Sequence, residues 1–279
     1  MAKALRYQDR VVIVTGGSKG IGRGIVQVFE RGQSCFLRQR RISFLSDTSF
    51  FDSYFPVETG KRVEEELNKA GPGLCLFVSC DMSKEEDIKR LIATTVERFG
   101  QIDCLVNNAG WHPPHKPTDE TSAEEFRDLL NLNLISYFLA SKFALPYLRK
   151  TQGNIINVSS LVASIGQKHA APYVATKGAI ISMTKAMAVD ESRYNVRVNC
   201  FSPGNVMTPL WEELAGQTAN AAAAIKEGEN AQLLGRMGTE EESGLVALFL
   251  AADATFCTGT DLLLSGGAEL NYAFKSQIP

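Results

Sequence analysis

VVIVTGGSKGIGRGIVQVFE, residues 11–30, runs from an apolar segment through a glycine-rich turn into a helical pattern. Glycines at 16, 20 and 22 allow a tight turn and close backbone approach, so the free N–H groups at the start of the following helix can face a pyrophosphate. A glycine-rich loop alone is weak evidence, because loops accept glycine for many reasons. A strand directly before it and a helix directly after it make a phosphate site the better reading.

Outward from this unit, short apolar runs recur as LCLFVSC (74–80), CLVNN (104–108), NIINVSS (154–160), VRVNCFS (196–202) and DLLL (261–264). Helical patterns at about 83–99, 122–149, 171–192 and 240–251 alternate with them. Strands apolar on both faces need cover on both sides, so the pattern predicts an α/β fold: a doubly wound, Rossmann-type parallel sheet in a single domain over residues 1–279. One segment breaks the rhythm. Residues 34–57 hold five phenylalanines, a tyrosine and three arginines with no clear period where the second strand is due. They read as a surface insertion or, preferably, as a strand at 41–45 set in irregular chain.

Lys and Arg total 29 against 31 for Asp and Glu; a net charge of −2 gives no field for capturing nucleic acid or an anionic membrane. The six cysteines, at 35, 75, 80, 104, 200 and 257, sit mostly in apolar runs, form no CxxC pair and do not cluster with the three histidines. They read as reduced core residues, with no disulfide and no metal site expected. MAKALRYQDR (1–10) lacks the apolar region of a signal peptide, and no eighteen apolar residues run uninterrupted, so the expectation is a cytoplasmic protein.

Tyr173 and Lys177 form a YxxxK pair on a predicted helix, where four-residue spacing puts both side chains on one face. A free tyrosine, with a pKa of about 10, is a poor base at neutral pH, but a nearby ammonium favours the phenolate. Alone, the pair is common by chance and usually means a solvated helix face. Ser160 changes that balance: thirteen residues upstream, it follows a strand on the carboxyl side of the sheet, where open α/β sheets bind ligands.

The loop spacing GxxxGxG, Asp81 after the third strand, NNAG (107–110) after the fourth, the Ser160/Tyr173/Lys177 set and Pro203-Gly204 after the sixth resemble the short-chain dehydrogenase/reductase family over nearly the whole chain outside 34–57. The resemblance implies that Tyr173 takes the hydroxyl proton of an alcohol, Ser160 hydrogen-bonds the substrate oxygen, and Lys177 tunes Tyr173 and holds the nicotinamide ribose. It makes Asn133 a fourth member that anchors a water for proton relay, though the residue alone reads as a mid-helix amide. It implies NAD bound by Gly16, Lys19, Gly20, Ile21, Gly22, Asp81, Met82, Asn108, Val206, Leu210, Tyr173 and Lys177, with Thr208 on the carboxamide. By themselves Asp81 and Thr208 also read as helix caps. The segment 207–238 reads as two short helices where the family closes over substrate, the bland alternative being helical decoration. A homotetramer through the long helices at 122–149 and 171–192 is the family's common assembly.

Within the family, NNAGWHPP (107–114), SSLVASIGQ (159–167) and SPGNVMTPLWEEL (202–214) are similar to its hydroxysteroid dehydrogenase branch. That match carries over His112, Gln167 and Trp211 as substrate residues. Each has a plain alternative, as a loop histidine, a solvent-facing amide and a helix-packing ring. The expected partner is a small-molecule alcohol or ketone, a steroid 17-beta-hydroxyl first and an L-fucose-like aldose second. His112 and Gln167 suit a polyol; Leu210, Trp211 and Leu214 suit a steroid.

Cofactor choice is normally decided at the end of the second strand, and here the chain departs from the family pattern by about fourteen extra residues between Glu30 and Leu67. Asp47 is the nearest candidate acid for the ribose, with Arg38, Arg40, Arg41 and Lys19 close by in sequence. A chain lacking its second strand would leave the adenosine pocket incomplete, giving an inactive subunit or a binding protein as the alternative to an enzyme.

Overall fold

The computed structural model describes residues 7, 9–31, 42–47, 57–71 and 73–270, with backbone alone at 31 and 42–47. In chain order the elements are β1 (Val12–Val14), α1 (Gly20–Arg31), β2 (Ile42–Asp47), α2 (Val57–Ala70), β3 (Cys75–Cys80), α3 (Glu85–Phe99) and β4 (Cys104–Asn107). Then come α4 (Ala123–Leu130), α5 (Ser136–Thr151), β5 (Asn154–Val158), α6 (Val162–Ile165), α7 (Ala171–Glu191) and β6 (Arg197–Pro203). The chain continues with α8 (Pro209–Gly216), α9 (Ala221–Asn230), α10 (Glu240–Ala252) and β7 (Asp261–Leu264).

The strands form one parallel sheet in the order β3-β2-β1-β4-β5-β6-β7, so the direction of winding reverses between β1 and β4. β1, β4 and β5 are buried along their whole length, as strands covered on both faces must be. On one face Val12, Val14, Val106 and Ile156 pack with Ile25 and Phe29 of α1 and Leu248 of α10. On the other, Ile13, Leu105 and Ile155 pack with Leu91 of α3, Ala144 of α5 and Ala188 of α7. Ser122 with Glu125 and Thr239 with Glu242 form capping boxes that start α4 and α10, supplying partners to N–H groups that a helix start leaves free.

The second strand is present. The stretch expected at 41–45 runs Ile42–Asp47 and pairs with β1 from Val12↔Ile42 and with β3 through Asp47↔Cys80. This overturns the alternative of a sheet without that strand. The rest of the expected insertion, 34–41 and 48–56, lies outside the described residues.

Two departures from regularity position the site. Between α4 and α5 the backbone makes a π-helical turn, Asn131–Ile135, whose extra residue directs Asn133 into the interior, where it is fully buried. The segment 207–238 does form two short helices, α8 and α9. Its ends are tied together by a bridge between Val206 and Gly238, with Gly238 N–H donating to Asn205 C=O at 2.9 Å and Met207 N–H to Gly238 C=O at 3.0 Å.

Candidate active site

The glycine loop sits at the carboxyl end of β1, at the point where the strand order reverses, and is stapled to the end of β4. Asn108 Nδ2 donates to the carbonyls of Thr15 and Gly16 at 3.0 and 3.3 Å, while Thr15 Oγ1 accepts from the N–H groups of Asn108 and Ala109 at 2.9 and 3.0 Å. Gly16 has φ +67°, and a Cβ there would stand 2.9 Å from Asn108 Nδ2; a Cβ on Gly22 would collide with the Gly16 carbonyl. The turn therefore closes only with hydrogen at these positions. Gly16, Lys19, Gly20 and Ile21 line a cavity that Tyr173 and Lys177 also line. A backbone cradle that side chains would fill, open at the start of a helix, fits a dinucleotide pyrophosphate.

Tyr173 and Lys177 share the inner face of α7, as their spacing requires. That helix is seated on β5 by buried polar contacts: Asn157 Nδ2 donates to Thr184 Oγ1 at 2.9 Å, and Ser159 Oγ to the Lys177 carbonyl at 2.8 Å. Lys177 Nζ donates to Val158 C=O at 3.0 Å and lies 5.7 Å from the ring centres of both Tyr173 and Tyr137. Burial pulls its pKa down to about 8. Burial also pushes Tyr173 up to about 12, against a lowering by its hydrogen bond with Ser160. Desolvation is the larger influence on the Tyr173 phenol, and the opposing contact comes from Ser160.

Asn133 bonds the backbone of Trp111 at both its N–H and its C=O, each at 2.9 Å, and lies 3.4 Å from Thr176 Oγ1. The buried-amide reading therefore describes its side chain, inside a π turn that periodicity did not foresee. His112 lines the cavity with its ring centre 4.2 Å from that of Tyr173. Gln167 is exposed and stands behind His112, with Oε1 2.9 Å from His112 Nε2, rather than on the cavity wall.

Other expected site residues are placed differently. Met82 is 1% exposed in the core, its sulfur 3.6 Å from Cys80 Sγ, so its side chain is unavailable to a cofactor. The Asp81 carboxylate accepts from Ser83 N–H and Oγ at 3.0 and 2.7 Å and pairs with Lys84 at 3.0 Å, a turn-capping role ahead of α3. Trp211 leaves the cavity and lays its ring on Gly228 of α9. Val206 is buried at the base of the two helices and Gly22 supports the turn; neither lines the cavity. Thr208 and Leu210 do, Thr208 Oγ1 also capping α8 by accepting from Trp211 N–H at 3.3 Å. The side chain of Asp47 lies outside the described residues. Sequence reading missed Trp111 and Glu213, which both line the cavity. Adjacency to NNAG could have flagged Trp111; Glu213 gave no signal beyond its place in a helix over the site. Among the described residues no cluster of His, Cys, Asp and Glu could hold a metal ion, and no helix is long and apolar enough to cross a membrane.

A short-chain dehydrogenase family model, described as enoyl-(acyl carrier protein) reductase, matches residues 50–269. An L-fucose dehydrogenase of Bos taurus is 52% identical over 277 residues, covering 99% of this chain and 95% of the relative. The chain belongs to the short-chain dehydrogenase/reductase family. A cyclopentanol dehydrogenase of Comamonas testosteroni is 33% identical, covering 95% of this chain and 99% of the relative. The solved structure of the aldohexose dehydrogenase of Thermoplasma acidophilum, in ligand-free form, superposes with a TM-score of 0.80 at 31% identity, covering 98% of each chain. The protein is accordingly an oxidoreductase that acts on a CH–OH group with a nicotinamide cofactor. The expected likeness to 17-beta-hydroxysteroid dehydrogenase type 14 is corrected at the level of the branch: these relatives are named for sugar and cyclopentanol oxidation, not for a steroid.

Proposed function

We propose that this family member is an NAD-dependent sugar dehydrogenase that oxidises a CH–OH group of an L-fucose-like aldose. The observation that carries the reading is the composition of the wall beside Tyr173: His112, backed by Gln167, stands on it, whereas Trp211 packs on Gly228. A polyol needs directed polar groups, and a steroid needs a long apolar cleft that Trp211 would have had to supply. The L-fucose dehydrogenase and aldohexose dehydrogenase relatives support the same choice, so the steroid becomes the secondary reading.

In this reading the glycine loop receives the pyrophosphate at the start of α1, Lys19 adds a positive charge, and Lys177 holds the nicotinamide ribose. Thr208 and Leu210 bound the nicotinamide, which when bound accepts the hydride. Ser160 bonds the substrate hydroxyl and steadies Tyr173, whose phenolate oxygen takes the hydroxyl proton as the carbinol hydrogen leaves. Trp111, fixed by Asn133, forms the side of the pocket next to His112. Asp47, at the carboxyl end of β2, is the residue assigned to the adenosine ribose and hence to NAD. The helices α8 and α9 act as the lid. Exposed Ile135, Phe138 and Val189, beside and along α5 and α7, support a homotetramer through those helices.

The test is reduced-cofactor formation by purified protein with L-fucose, related aldoses and estradiol-like steroids, each with NAD and NADP. Aldose turnover with NAD is expected. Turnover of steroids alone would overturn the substrate, and turnover with NADP alone the cofactor.

A further inference from the structure

The chain has three histidines, and the fold gathers all of them at one rim of the cavity. His112 and His115 lie on the loop after β4 with ring centres 5.3 Å apart. His169 precedes α7; its carbonyl accepts from Lys116 N–H at 2.8 Å, and its charge acts on His115.

The contacts constrain where protons sit. His112 Nδ1 is 2.7 Å from Pro113 C=O, and a carbonyl only accepts, so Nδ1 carries a hydrogen. On the other side of the ring, Nε2 is 2.9 Å from Gln167 Oε1, and Gln167 Nε2 is 3.2 Å from His115 Nε2. With the amide in this orientation Oε1 accepts from His112 and the NH2 group donates to His115. His112 is then an imidazolium and His115 is bare at Nε2. Turning the amide over reverses both: His112 Nε2 accepts and is neutral, and His115 Nε2 donates, either as the neutral Nε2–H tautomer or, with the extra proton, as the imidazolium. The two rings face opposite ends of the amide, so its oxygen meets only one of them at a time and the other Nε2 faces the NH2 group, which donates; both rings cannot carry a hydrogen at Nε2 together. We propose that His112 and His115, joined through Gln167, hold one proton between them, and that with the proton on His112 a cation lies against the Tyr173 ring at the reacting centre.

Gln167 and His115 are then positioning residues that act on Tyr173 through His112. A cation beside a phenol ring is held by the ring's electron-rich face and favours the phenolate over the phenol. The other titratable groups around this corner are Tyr173 and Lys177 from α7, Lys168 and His169 in the preceding loop, and Lys116, paired at 2.8 Å with Glu125 of α4. Glu213 of α8 and Lys19 of the glycine loop line the cavity. The lysines among them oppose a second proton on the pair; burial, then His112, then His169 hold His115 below the usual histidine range.

The activity limb of this proposal rests on the aldose reading, but its primary test needs no substrate. With three histidines in the chain, 15N-histidine labelling of the full-length protein gives three imidazoles to follow through a pH titration, assigned with H112Q, H115Q and H169Q. The His112 and His115 signals should each change in two linked steps, and both Gln167→Leu and His115→Gln should reduce the His112 curve to a single step. A His112 curve unchanged in both variants overturns the proposal. In turnover, His115→Gln should shift the pH profile of kcat/KM for the sugar while leaving KM for NAD near its wild-type value. Coupled titration without aldose turnover would sink the substrate reading and leave the pair standing; aldose turnover with uncoupled histidines would do the reverse.

Discussion

Asn133 holds Trp111 by both polar groups of its backbone, accepting from its N–H at Oδ1 and donating to its C=O from Nδ2, each at 2.9 Å. A side chain with a donor and an acceptor at this depth is an Asn; Asp lacks the donor and Leu lacks both. The π turn aims that amide at the start of the loop bearing Trp111 and His112, so the shape of the pocket wall beside Tyr173 depends on a residue buried in a helix connection.

Asn133→Ala should lower unfolding stability by about 2 kcal/mol, since both hydrogen bonds to the half-buried Trp111 backbone are lost. Urea denaturation measures this. Turnover should fall with it, because the loop carrying His112 loses its anchor.

Tyr173→Phe should reduce turnover by about 10²–10⁴-fold, the range for losing a positioned proton acceptor. Cofactor affinity, measured by calorimetry, should change little, since one oxygen is removed and almost no volume. Wild-type turnover in this variant would mean that another group takes the proton.

Lys177→Met should abolish efficient turnover yet stabilise the fold at neutral pH. The Lys177 pKa is about 8 in the folded protein against 10.5 when free. Below about pH 8 the charge is present in both states and the folded protein bears the full burial penalty, at most about 3 kcal/mol for such a gap. From about 8 to 10.5 the unfolded chain keeps a proton that the folded protein has released, so wild-type stability rises with pH; above that window the difference vanishes. The advantage of Lys177→Met should therefore be largest at pH 7 and fade towards pH 10.5, less the lost bond to Val158. Thermal melts across that range test the sign.

Gly22→Ala should destroy NAD binding before it unfolds the protein. Its Cβ would collide first with the backbone carbonyl of Gly16 and next with the Asn108 amide that staples the loop, so the loop itself must shift. Retained NAD affinity would show that the cofactor does not use this turn.

The shared face of Tyr173 and Lys177 and the glycine turn were legible because local rules place them: helical spacing puts both side chains on one face, and a strand, a turn and a helix in succession present free N–H groups. The six apolar runs likewise dictated strands, since a run apolar at every position suits only a sheet covered on both sides. β2 was harder to see because ISFLSD lies among other aromatic residues without a period, and what makes it a strand is pairing with β1 and β3. Met82 and Trp211 were misplaced for a related reason. Sequence position brings a residue near the site, but the side chain's direction follows the packing around it, which drew Met82 into the core and Trp211 onto Gly228.

The sequence by itself determined the parallel α/β architecture, the glycine turn and the shared helix face of Tyr173 and Lys177, because these depend on short-range periodicity and on the conformational freedom of a few glycines. Only the tertiary structure decided what surrounds Tyr173: the π turn that sends Asn133 to Trp111, the burial that moves the pKa values of Tyr173 and Lys177 apart, and the meeting of His112, Gln167 and His115. Those features join groups as many as 55 residues apart in the chain, and contacts of that kind exist only after the sheet has closed and its loops have packed against one another.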